Sequence, residues 1–86
     1  MTKEYLFQQY LESAKDAFRS VWSPERISDE TRDRYLTDEM ADFMKSRFDS
    51  DYSAYKRGEI TEKILTVGAG RSAGYCAGLM YDGPVE

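Results

Sequence analysis

Six small residues near the C-terminus constrain this chain most: Ala69, Ala73 and Ala77 run beside Gly70, Gly74 and Gly78. Both series step by four, so on an α-helix they form adjacent rows on one strip of surface. A strip without large side chains lets another backbone approach closely. Arg71 is the only charged residue between Ile64 and Tyr81, which makes this segment the expected buried centre of the molecule. A bulky residue at position 74 should wedge such a contact apart, whereas Gly74→Ala should be mild, since it adds one methyl and gains helix propensity.

The favoured reading of this segment is one continuous helix. Glycine costs ~1 kcal/mol relative to alanine in a helix interior, and Gly68, Gly70, Gly74 and Gly78 all fall within it, so packing has to supply the difference. Ile60, Ile64, Val67, Gly74, Gly78 and Tyr81 would share one face, with Leu65, Ala69, Cys76 and Met80 opposite. A competing reading makes 63–67 a short β-strand, followed by a glycine turn and a helix from about Ser72.

Two amphipathic helices precede it. Phe7, Tyr10, Leu11, Ala14, Phe18, Val21 and Trp22 follow the i, i+3, i+4, i+7 pattern, so the first helix runs from near Thr2 to just before Ser23-Pro24. Ser23 reads as the N-cap of a short helical piece through Ile27, because Pro24 suits a first helical turn. Leu36, Met40, Phe43, Met44, Phe48 and Tyr55 mark the second helix, with Ser28 and Thr37 as alternative N-caps. It is either one helix from Asp29 or two pieces broken at Thr37, and Lys56-Arg57-Gly58 closes it. Asp82-Gly83-Pro84 ends the structure, leaving Val85-Glu86 to fray. The expectation is one all-α domain over 1–86: three main helices, the first two wrapped over a Gly/Ala-rich buried third. The alternative is α+β, with a strand at 63–67.

Sixteen Asp and Glu against 12 Lys and Arg give a net charge of −4, which argues against direct nucleic-acid binding. The single cysteine excludes an internal disulfide and suits the cytoplasm. Ile64–Tyr81 is long enough to consider as a membrane span, but the central Arg71 and its glycines speak against it. There is no histidine, hence no imidazole base, Ser–His or Cys–His pair, or histidine metal ligand. Cys76 reads as a core residue. No catalytic residue, metal site or cofactor is expected.

The run from Ile64 to Leu79, with Gly68-Ala69-Gly70-Arg71-Ser72 at its heart, resembles the strand–glycine loop–helix opening of dinucleotide-binding proteins and of sugar-isomerase domains. That resemblance implies phosphate-ligand binding through a 68–74 glycine loop. It covers only this stretch, and too few residues follow for the second strand and ribose-binding acid of a dinucleotide fold.

The best binding candidate is an acidic face. Nine acidic and five basic residues lie between Glu25 and Asp51. On a continuous second helix Asp38, Asp42 and Asp49 would lie within roughly 40° of one another, opposite the apolar arc. Lys45 falls among them, positioned to pair with Asp42 and Asp49, and Tyr52 flanks them as an aromatic anchor. An ordinary solvated face is the plainer alternative. Tyr5, set among Gln9, Glu12 and Asp16, is a second exposed aromatic.

The function these features imply is a non-enzymatic protein-interaction module. It would be a small acidic adaptor or inhibitor docking on a basic protein surface, including one that otherwise holds nucleic acid, in the cytoplasm or, for a phage-encoded protein, in that of the host. In size, acidity and lack of catalytic side chains the chain resembles small phage-encoded inhibitors of host enzymes or defence, such as anti-CRISPR proteins. The alternatives are a homo-oligomer, at its simplest a homodimer, packed through Gly70, Ala73, Gly74, Ala77 and Gly78, and the phosphate-binding loop.

Overall fold

Thr2 starts the first helix, its hydroxyl oxygen accepting a hydrogen bond from the Tyr5 amide at 3.0 Å. The computed structural model describes residues 1–21 and 26–86, and among these it is all-α, with no strand. Helix α1 spans Lys3–Val21. The cap expected at Ser23, the helical start at Pro24 and the apolar role of Trp22 lie outside the described residues.

Ser28 caps α2 (Asp29–Arg34), accepting from the Thr31 amide at 3.2 Å. The helix then widens into a π-turn, Tyr35–Glu39, closed by the Met40 amide on the Tyr35 carbonyl at 3.1 Å. Helix α3 (Ala41–Lys56) follows. The middle segment is therefore two helices, and the break falls at Met40 rather than at Thr37, which is exposed inside the wide turn. Four-residue steps drift by ~40° on an α-helix, and the wide turn takes up that drift. Leu36, Met40, Met44 and Phe48 are all buried. At the far end of α3, Gly58 adopts φ 79°, and the Gly58 and Glu59 amides return to the Tyr55 and Ala54 carbonyls at 3.0 Å each. These are the two bonds of a Schellman cap.

Thr61 caps the last helix, its hydroxyl oxygen accepting from the Ile64 amide at 3.2 Å. This helix begins with a second π-turn, Ile64–Ala69, which runs into α4 (Gly70–Leu79). Residues 63–67 are thus helical, and 68–74 form no loop; the strand and the phosphate cradle both give way. The π-turn also rotates the expected faces. On a regular α-helix Leu65 would stand ~140° round from Gly70, whereas i→i+5 bonding stacks them in one column. Leu65 and Thr66 are buried in consequence, and Ile64 and Val67 face solvent.

Helix α1 fills the small-residue strip. A Cβ at Gly70 would meet the Tyr10 carbonyl oxygen at 2.6 Å, and one at Gly78 would meet Val21 at 3.1 Å. The two helices run parallel, backbone against backbone, and Gly70, Ala73, Gly74, Ala77 and Gly78 are buried within the chain. The strip therefore offers no surface to a second copy. Helix α3 returns antiparallel to α1, with Ala41 and Met44 near Leu11 and Asp49 paired with Lys3 at 3.0 Å. The more enclosed helix is α1, which buries Leu6, Tyr10, Ala14, Ala17 and Phe18. The expected buried third helix instead has two faces, one of them bare. Among the described residues four α-helices, not three, build a rod of 42 × 20 × 19 Å. No helix among the described residues is long and apolar enough to cross a membrane.

Candidate functional site

Phe18, near the end of α1, is fully buried and carries two tyrosines. Its ring stacks on Tyr35 at 5.7 Å and meets Tyr81 edge-on at 5.3 Å, while Tyr35 and Tyr81 touch at 4.5 Å. Tyr35 comes from the π-turn and Tyr81 from the tail that follows α4, so Phe18 joins three parts of the chain.

The tail then folds back. The Tyr81 hydroxyl donates to the Pro84 carbonyl, and the Glu86 amide donates to the Arg26 carbonyl at 2.6 Å. The Glu86 carboxylate accepts from the Ser28 amide at 2.7 Å and the Ser28 hydroxyl at 3.1 Å. Val85-Glu86 is therefore docked rather than frayed. Hydrogen bonds from Thr31 and Ser28 hold the Glu86 carboxyl below the usual carboxylate range.

Between the π-turn and this tail lies an open groove of about 210 Å³. Tyr35, Tyr81 and Pro84 line it along with Thr31, and Asp38 and Glu39 stand on its exposed rim. Arg34 borders it too, but its guanidinium is drawn to Glu30 at 3.3 Å. Burial, foremost, raises both tyrosine pKa values; Asp82 adds to the effect at Tyr35, and Glu86 then Asp82 at Tyr81. Both are neutral hydrogen-bonding phenols at physiological pH.

The remaining acidic residues lie elsewhere. Asp42 and Asp49 are exposed on α3, but Asp49 pairs with Lys3, and Lys45 forms no ion pair among the described residues. Tyr52 is half-buried, stacked on Phe48 at 5.6 Å, with Lys3 and Lys56 over its ring at 5.0 and 5.9 Å. The structure thus separates the expected stripe: Asp38 lines the groove, while Asp49 and Tyr52 belong to a cluster neutralised by lysines. Tyr5 is half exposed on α1, outside the groove. Sequence reasoning missed Tyr35 and Glu39 and read Tyr81 only as apolar surface. One signal was available: Tyr35 is the only aromatic residue between Ser23 and Asp42, in the middle of the acidic stretch.

A second polar cluster lies between the helices. The Tyr10 hydroxyl donates to Asp51 at 3.4 Å, and Arg47 reaches the Cys76 thiol and the Ser72 hydroxyl, each at 3.4 Å. The cation beside Cys76 is Arg47 of α3. Burial first, then the Asp51 charge, pushes the Tyr10 phenol well above its ordinary value of 10.0. A folded-state pKa raised above the unfolded one gives stability that is fully present below pH ~10 and lost above it, as the unfolded phenol ionises first. Urea melts should therefore show stability falling above pH 10, and Tyr10→Phe should shallow that fall. An unchanged pH slope in Tyr10→Phe would assign the loss to other groups.

Compared with known proteins, the chain matches no family model, no curated protein and no solved structure.

Proposed function

We propose that this chain is a non-enzymatic protein-interaction module whose groove between the π-turn and the tail takes a lysine or arginine side chain from a basic protein surface. One observation carries the reading: two tyrosine rings and the exposed carboxylates of Asp38 and Glu39 converge on the same open hollow. A cation entering there meets aromatic faces and charge-assisted acceptors together. The net charge of −4 and exposed Asp42 steer a basic surface toward it and repel phosphate backbones. An adaptor or inhibitor of this kind, of the type phages encode against host enzymes and defence, needs only a surface, and the absence of histidine suits that role. A cytoplasmic setting accords with the single free cysteine.

The test is the double change Asp38→Lys, Glu39→Lys, assayed with an arginine- and lysine-rich peptide by calorimetry and by partner capture from the source cell. Both positions are exposed, so the melting temperature should move little. Affinity should fall by roughly 30-fold or more, and binding to the parent protein should weaken with salt. Asp42→Lys alone should slow association without changing dissociation. Equal affinity in the double variant would remove the groove from the interface.

A further inference from the structure

Gly68 has no role inside the fold. A Cβ there would meet only its own neighbour Ile64, at 3.9 Å, whereas at Gly70 and Gly74 it would collide with the α1 backbone. Gly68 is also exposed and lacks a positive φ, so it forgoes helix propensity for no internal reason. It lies on the exposed face of the last helix, among Ile64, Ser72, Tyr75 and Leu79, with Arg47 of α3 bordering it at Ser72. Exposure there is 49% at Ile64, 40% at Tyr75 and 80% at Leu79, with Val67 and Met80 exposed on the flanks. This is the opposite side from the strip that α1 fills.

We propose that this face pairs with the same face of a second copy, the two helices antiparallel across a two-fold axis, with Tyr75 of each copy seated on Gly68 of the other. The stripe reads the same in both directions: superposing position 68 on 75 also superposes 64 on 79 and brings 71 and 72 together. An isologous interface requires such reciprocity. Ile64 then packs on Leu79, and the largest ring on the face meets its only glycine. In a parallel pair Tyr75 would face Tyr75 and Gly68 would face Gly68, a bulge beside a gap. The exposed parts of the five apolar side chains come to roughly 500 Å² per copy, so complete burial on pairing removes on the order of 1,000 Å² in total, the lower limit for a specific interface. The two Arg71 side chains approach the axis, each turned along its own helix onto the Tyr75 hydroxyl at 3.0 Å. Salt should screen their repulsion and strengthen the dimer, the reverse of its effect at the acidic groove.

Sedimentation equilibrium of the full chain from 1 to 500 µM should show a monomer–dimer equilibrium, tighter at higher salt. Leu79→Glu and Ile64→Glu should each raise the dimer Kd at least 100-fold with an unchanged helical spectrum. Gly68→Leu should raise it at least tenfold while the monomer keeps its stability, since the site is open within the chain. In a Cys76→Ser background, Ser72→Cys should cross-link across the axis on mild oxidation and Tyr75→Cys should not. A parent chain monomeric at 500 µM overturns the proposal. So does an unaltered dimer in Leu79→Glu, or efficient cross-linking through position 75. A monomeric parent whose binding to another protein is lost in Leu79→Glu would instead assign the face to a different partner.

Discussion

Gly74→Leu should abolish the folded state, and even Gly74→Ala should cost about 3 kcal/mol or more, the upper part of the range for overpacking. The sequence alone suggested that alanine would be mild. The geometry reverses this, because a Cβ at position 74 would lie 2.1 Å from the Ala14 carbonyl oxygen and 2.7 Å from the Ala14 Cα. The atoms in the way are backbone, held at the middle of α1 by its own hydrogen bonds, so no rotamer change relieves the clash. The two helices would have to separate, and Ala73 and Ala77, both fully buried, would lose their contacts as well. Small domains have only a modest stability margin, so leucine there should leave an unfolded or molten chain. Gly68→Ala is the control on the same helix, and with open space around it should stabilise by ~0.5–1 kcal/mol. Urea denaturation followed by circular dichroism at 222 nm decides both. Equal melts for Gly74→Ala and the parent would mean that α1 and α4 do not lie in the contact described.

The small-residue strip was legible because the period of four is local and glycine has few reasons to recur inside a helix. The occupant of the strip was not. Leu6 and Ala17 of α1 lie off its main apolar arc, and they become inward only once α1 is clamped between α3 and α4. The two π-turns were invisible to a regular helical wheel. Each shifts the phase of the residues around it, which is why a regular wheel sets Ile64 and Val67 on the face of Gly74 and Gly78 and Leu65 opposite, whereas Leu65 is buried with those glycines and Ile64 and Val67 face solvent. The same shift separates Asp38 from Asp49, so the expected acidic stripe became a groove at one end of the rod and a lysine-neutralised patch at the other. The groove needs contacts more than 40 residues apart, Tyr35 to Tyr81 and Ser28 to Glu86, and nothing in local periodicity encodes them.

Phe18→Ala should destabilise the chain by about 3–5 kcal/mol, the cost of removing a fully buried aromatic whose site cannot collapse. The pattern of the loss should be informative. Phe18 touches Tyr35 of the π-turn and Tyr81 of the tail, whereas Phe7, Tyr10 and Phe48 form a separate aromatic cluster between α1 and α3. Removing the ring takes the floor from the groove and leaves the Tyr35–Tyr81 contact as the main aromatic tie between α2 and the tail. Amide exchange should therefore accelerate first over 28–40 and 81–86, before the α1–α4 seam opens. Affinity for a basic peptide should fall with it, because Asp38 and Glu39 would no longer be held against the tyrosine rings. Phe18→Leu should recover much of the stability but less of the binding, since it fills volume without stacking on Tyr35. Uniform acceleration of exchange along the whole chain would show that α2 and the tail have no stability separate from the rest. Full binding by Phe18→Ala at a temperature where it remains folded would show that the tyrosine walls do not hold the partner's cation.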